Sequence, residues 1–176
     1  MRNKFLTFTT LVLLTFLSGC AILSSQDPSN GTTGLFNDDK IRALIIASLH
    51  DKNPQQANTV AVLCFDSHVF LIGHADEKFQ NFATRQSYDT PGVAHVTTHW
   101  FPDTPNNNLQ DAAIAANIDS AIFLDAELSS TRMAVEVFNG NVILCGIMRN
   151  KQNIDKVVEI ARRVNKVKSV TSYLTY

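Results

Sequence analysis

One twelve-residue pattern occurs twice in this chain, and it restricts the available folds more than any other feature. The later copy, Val135 to Gly146, reads VEVFNGNVILCG, and the earlier, Val62 to Gly73, reads VLCFDSHVFLIG. With the terminal glycines superposed, Val62, Phe65, Val69, Leu71 and Gly73 fall on Val135, Phe138, Val142, Leu144 and Gly146. Asp66-Ser67 and Asn139-Gly140 divide the copies, and both are turn formers; Asn-Gly is among the best short-hairpin signals. Each copy therefore reads as strand, tight turn, strand, with a glycine closing the second strand. Alternation puts Val135, Val137, Val142 and Leu144 on one face, with Val62, Cys64, Val69 and Leu71 as counterparts. A repeat of this length makes the chain a tandem of two similar units.

The flanks of each hairpin repeat as well. Ahead of the first copy, Ile41, Leu44, Ile45, Ser48 and Leu49 follow helical spacing, with Asn37 or Asp38 available as a cap. After it, Phe79, Phe82, Ala83 and Gln86 mark a second helix, which Pro91-Gly92 breaks before a strand from Val93 to Trp100. Phe101 to Asn108 holds two prolines and three asparagines and reads as a linker. Beyond it, Ile114, Ile118, Ala121 and Ile122 form a helix face with Asp111 near its start. The second hairpin spans Arg132 to Gly146. Ile154, Val157, Val158, Ala161 and Val164 then give the cleanest amphipathic pattern in the chain, and a strand runs from Val167 to Leu174. Both halves are expected to run α-β-β-α-β.

The N-terminal region reads as a targeting segment. Arg2 and Lys4 precede an apolar run from Phe5 to Leu17, too short for a spanning helix, which needs about 20 apolar residues. The segment ends Leu17-Ser18-Gly19-Cys20, which resembles the lipobox of bacterial lipoproteins, in which the cysteine is lipidated and becomes the first mature residue. Several acyl chains on one cysteine would anchor stably, at about 0.8 kcal/mol per buried methylene. Ala21, in place of Asp, resembles the outer-membrane address of lipoprotein sorting. Ser24 to Gly34 is polar, turn-rich and unpatterned, a flexible tether. The formal net charge of −1 becomes −3 on loss of Arg2 and Lys4, and nothing global favours nucleic-acid binding.

The repeated pattern resembles the BON domain. The second copy matches through Val142-Ile-Leu-Cys-Gly146, Ile160-Ala-Arg162 and Val167-Lys-Ser-Val170. The first matches more loosely: its second helix lacks the Ala-Arg pair, and Tyr88-Asp89-Thr90 replaces the expected continuation. With the lipobox, the whole resembles dual-BON-domain lipoproteins of the DolP type. The resemblance implies an α+β fold of two tandem modules, each a three-stranded mixed sheet covered by two helices. The divisions expected are a signal peptide at 1–19, lipidated Cys20 and tether at 20–36, modules at 37–101 and 110–176, and a linker at 102–109. It also implies non-catalytic work at the periplasmic face of the outer membrane, by binding anionic phospholipid and supporting envelope integrity. The alternative, suggested by the loose first copy, is a scaffold docking on an envelope assembly or secretion complex.

For the lipid contact, the last helix is the candidate. Its apolar stripe leaves Lys151, Lys156, Arg162, Arg163 and Lys166 opposite, with Asp155 and Glu159 among them, a face of net +3; Lys168 lies just beyond. Such a face gains about 1 kcal/mol per cation near an anionic membrane, and it is equally the composition of a solvated helix surface. His68, His74, His95 and His99 concentrate in the first half. His95 and His99 share a strand face, but no Cys or carboxylate completes a ligand set, so they read as histidines on an open sheet face, and no metal or other cofactor is expected. Cys64 is expected to face the helix-covered core. Cys145 should face the opposite side of its sheet, where it could pair between molecules. Trp100 and Phe101 could pack one module on the other or enter a membrane interface. No phosphate loop, His-Glu-x-x-His, Gly-x-Ser-x-Gly or Cys-x-x-Cys motif is present, and two modules of about 65 residues leave little room for a deep pocket, so no catalysis is expected.

Overall fold

The computed structural model describes residues 32–104, 107–128 and 132–176, with side chains from residue 37 onward. The lipobox, Cys20, and the tether up to residue 31 lie outside the described residues. The elements are α1 (Thr32–Lys52), α2 (Pro54–Ala57), β1 (Val60–Phe65), β2 (His68–Gly73), α3 (Glu77–Tyr88) and β3 (His95–Trp100). They continue with α4 (Asn108–Phe123), β4 (Arg132–Phe138), β5 (Asn141–Ile147), α5 (Lys151–Arg163) and β6 (Ser169–Thr175). The fold is α+β with two three-stranded sheets of identical order, β1-β2-β3 and β4-β5-β6. In each, the hairpin strands are antiparallel and the third strand adds parallel to the second. A parallel third strand needs a crossover, which α3 and α5 supply.

Both hairpins turn on two residues of positive φ, Asp66 (49°) and Ser67 (65°) in the first, Asn139 (49°) and Gly140 (79°) in the second. Positive φ at both central residues is the type I′ geometry, whose twist matches that of the flanking strands. The glycines closing β2 and the β5 ladder answer to close approach rather than to the turn. A Cβ on Gly146 would lie 2.2 Å from the Arg132 carbonyl oxygen, and one on Gly73 would lie 2.0 Å from that of Thr59.

Alternation sorts the side chains into three cores. Ile41, Ile45 and Leu49 of α1 and Phe79 and Ala83 of α3 pack on Val60, Val62, Val69 and Leu71. Ile114, Ile118 and Ile122 of α4 and Val157 and Ala161 of α5 pack likewise on Val142 and Leu144. The third core lies between the sheets: Phe70, Ile72, Ile143 and Cys145 are buried there, with Leu63, Phe65, Phe101, Ala134 and Tyr173 against them. The molecule is thus layered helices, sheet, sheet, helices. The sheet faces that the sequence analysis left open cover one another, because both hairpins carry large apolar residues at their second set of alternate positions.

Several expectations need correction. The first helix starts at Thr32, within the stretch read as tether, and Leu44 points outward, 46% exposed. Asp38 does not cap it. Asp38 is buried inside α1 and accepts hydrogen bonds from the backbone N–H groups of Asp66 (2.8 Å) and Ser67 (2.8 Å). Asp111, buried in α4, does the same for Asn139 (2.6 Å) and Gly140 (2.8 Å). A two-residue turn leaves these N–H groups without ladder partners, and a carboxylate supplied from the helix satisfies them. β3 and β6 begin two residues later than predicted, and α2 was not foreseen.

Candidate functional site

Helix α5 starts at Asn150, whose side chain accepts from the Asn153 backbone N–H. Val157 and Ala161 bury the inner stripe, while Lys151, Lys156, Arg162, Arg163 and Lys166 are all on the exposed side. Each cation has a specific setting. Lys151 pairs with Asp155 one turn on (3.0 Å). Lys156 is held between Asp125 (2.7 Å) and Glu127 (2.8 Å), both in the connection from α4 to β4. Hydrogen bonds to these two carboxylates raise the Lys156 pKa, and the bond from Lys156 lowers that of Asp125. Arg162 (3.4 Å) and Arg163 (3.7 Å) share Glu159. Lys166 sits past the helix at φ 70°, and no ion pair forms at Lys166 or Lys168 among the described residues.

The expected net charge of +3 for the five cations therefore falls to +1, since four carboxylates pair with them instead of two. Asp125 and Glu127 were missed because they are distant in sequence from Lys156 and sit on no predicted helix face. The remaining positive charge concentrates at the C-terminal end of α5. There Arg162 and Arg163 share one carboxylate, Glu159, and Lys166 and Lys168 follow within five residues. Arg163 is 82% exposed at its side chain, so its ion pair contributes at most about 1 kcal/mol and leaves the guanidinium accessible. The β4–β5 turn adjoins this end, with the Lys168 side chain against Gly140. The start of α4 is tied to the same turn through Asn107 and Asp111, and it carries Leu109, 87% exposed. A basic cluster beside an exposed leucine is a surface suited to an anionic headgroup layer.

The other candidates fall at the junction between the sheets. Arg132 of β4 reaches the first half, donating to Asp38 (2.8 Å) and Asp66 (2.7 Å). Burial opposes its charge, but the bonds to both carboxylates outweigh that and raise its pKa. Phe101 stacks on Phe138 at 4.6 Å, packing one half on the other, whereas Trp100 joins the core under α1 and α3. His99 meets the Tyr173 hydroxyl at 3.0 Å, and burial lowers the pKa of the imidazole. His68 stacks on Phe70 and is lowered by burial and by His95. Among the described residues no group of three or more His, Cys, Asp or Glu converges as metal ligands. Cys64 faces the first core as expected and lies 3.4 Å from Asp38. Cys145 is fully buried between the sheets, which rules out the pairing between molecules. Burial pushes both thiols up to about 12, so both are protonated.

A BON domain is detected at residues 110–176, and the match stops short of the first half. The chain is 26% identical over 122 residues to an uncharacterized protein in the gshII 5′ region of Anaplasma centrale, covering 66% of this chain and 81% of that one. Among solved structures it is similar to the C-terminal domain of CdsD, a structural protein of the type III secretion system of Chlamydia trachomatis. That match has 13% identity and a TM-score of 0.30, over 78% of this chain and 65% of the other. A second CdsD structure gives 12% identity and a TM-score of 0.27, over 80% and 90%.

Proposed function

We propose that this protein is a non-catalytic, lipid-anchored envelope protein built of two BON-like modules, 37–101 and 110–176, whose second module binds anionic phospholipid. The observation that carries the reading is the run of cations at the end of α5 in the BON domain: Arg162 and Arg163 share Glu159, and Lys166 and Lys168 follow with no ion pair among the described residues. Lys156 contributes little, because Asp125 and Glu127 already neutralise it. Lys151, paired with Asp155, adds a weaker outlying contact. Leu109 would enter the headgroup region beside the cluster. The anchor is Cys20, placing the protein at the periplasmic face of the outer membrane, where headgroup contact supports membrane integrity.

Charge reversal tests the site. Replacing Lys151, Arg162, Arg163 and Lys166 by Glu should abolish sedimentation with anionic vesicles while leaving the thermal transition in place. Unchanged sedimentation would refute the assignment.

A further inference from the structure

The two halves differ sharply along one sheet edge. β4 is an edge strand, and a cleft of about 430 Å³ opens beside it between the two sheets. Its walls include Val60, His74, Phe101, Glu136, Val137 and Phe138. A smaller cavity of about 200 Å³ continues along the same strand past Val135, Glu136 and Val137, under Ala112 and Ala115 of α4. The volume of the larger cleft lies within the range of ligand sites.

Three features make this groove a strand-shaped receptor. First, an antiparallel ladder uses alternate residues. With Phe138 and Asn141 flanking the turn, Phe138, Glu136 and Ala134 bond to β5, so Val137 and Val135 turn their N–H and C=O groups to the free edge. Second, α4 presents two alanines, Ala112 and Ala115, to the smaller cavity. The corresponding positions of α1, on the 73-residue offset of the repeat, carry the longer side chains of Asp39 and Arg42, joined in an ion pair (3.4 Å). Third, Glu136 projects towards the sheet junction at the position where the first half has Leu63, a member of the apolar core between the sheets. Among the described residues nothing donates a hydrogen bond or pairs with its carboxylate. Asp103, near His74 at the mouth, adds negative charge (4.0 Å).

We propose that this groove binds an extended peptide segment by strand addition to β4, with a lysine or arginine of the peptide set against Glu136. Backbone bonds to Val135 and Val137 would give the affinity, and the cross-strand charge pair would give the selectivity. Burial and the nearby charge of Asp119 raise the Glu136 pKa, the strain on an unpaired carboxylate that a cation relieves.

The probe is a capped, fluorescent heptapeptide alternating valine and lysine, compared by anisotropy with versions carrying glutamate or threonine in place of lysine, on the full chain. The lysine peptide should bind saturably and the glutamate peptide should bind at least tenfold more weakly. Glu136→Gln should cost about tenfold in Kd, equivalent to about 1.4 kcal/mol. The pair Ala112→Asp with Ala115→Arg, copying α1 on the exposed side of α4, should close the groove and remove saturable binding. Equal binding of the lysine and glutamate peptides, or an unchanged Kd in Glu136→Gln, would overturn the proposal. So would full displacement of the peptide by equimolar butylammonium, which would assign the cleft to small cations. If the α4 pair does not fold, as judged by circular dichroism, Glu136→Gln decides alone. The charge reversals on α5 should leave this binding intact, which separates its failure from that of the lipid reading.

Discussion

Asp38 and Asp111 perform one task in the two halves, and the difference between them shows what joins the molecule. Each carboxylate reaches from its first helix to satisfy two N–H groups of its hairpin turn, 28 residues further on. Asp38 also accepts from Arg132 of the other half, whereas no guanidinium reaches Asp111 among the described residues. The position matching Arg132 in the first half is Thr59, whose hydroxyl bonds locally to Gln56 and His74. The turn device therefore belongs to the repeat, while the clasp is one-sided. The same asymmetry recurs along the edge strands, where Leu63 is answered by Glu136, and on the last helices, where the basic cluster belongs to α5 alone.

The largest expected effect separates the two aspartates. Asp38→Ala leaves two turn N–H groups unbonded and strips Arg132 of its buried partner, and should cost about 3–5 kcal/mol in urea unfolding. Asp111→Ala loses only the turn bonds and should cost about 2–3 kcal/mol. Equal losses would break the comparison, and a cycle with Arg132→Ala measures the clasp itself. Next comes Glu136→Leu, which copies the first half and should stabilise by about 1 kcal/mol at pH 7. Because the folded pKa of Glu136 is raised, the wild type loses stability as pH rises from the unfolded glutamate value through the folded one. The advantage of leucine should accordingly shrink towards pH 4, and a gain independent of pH would contradict the unpaired-carboxylate account.

A smaller gain is expected from Ser67→Gly. Ser67 sits at φ 65° where the second half has Gly140, and relieving that geometry should add about 0.5–1 kcal/mol. Smallest are the surface charges. Lys156→Gln should weaken vesicle binding far less than Arg163→Gln, since Asp125 and Glu127 already neutralise Lys156. Both should move the thermal transition only slightly.

Much of this architecture was legible in the sequence. Period-two alternation fixed both hairpins and the faces of Val62, Val69, Val142 and Leu144, and helical spacing located Ile41, Ile45, Ile114 and Ile118. The repeat also held a signal that went unread: Asp38 and Asp111 stand at the same distance from their turns, which fits a carboxylate serving the turn better than a helix cap. What the sequence could not show was the junction. Phe65, Phe70 and Ile143 alternate against the core-facing residues, and only the docking of one sheet on the other reveals that their face is covered. The pairing of Lys156 with Asp125 and Glu127 was hidden for a related reason, since a connection of no regular pattern brings those carboxylates onto α5. The location of the basic helix was readable, but its effective charge was not.

The most direct test is sedimentation of the Ala21–Tyr176 chain with neutral and anionic vesicles at low and high salt. Without Cys20, binding must come from the folded residues. Binding to anionic vesicles alone, falling steeply as salt rises, is the expected result for a cluster of exposed cations. Failure to bind either vesicle, or binding indifferent to lipid charge and salt, would contradict the account and leave the basic end of α5 a solvated surface.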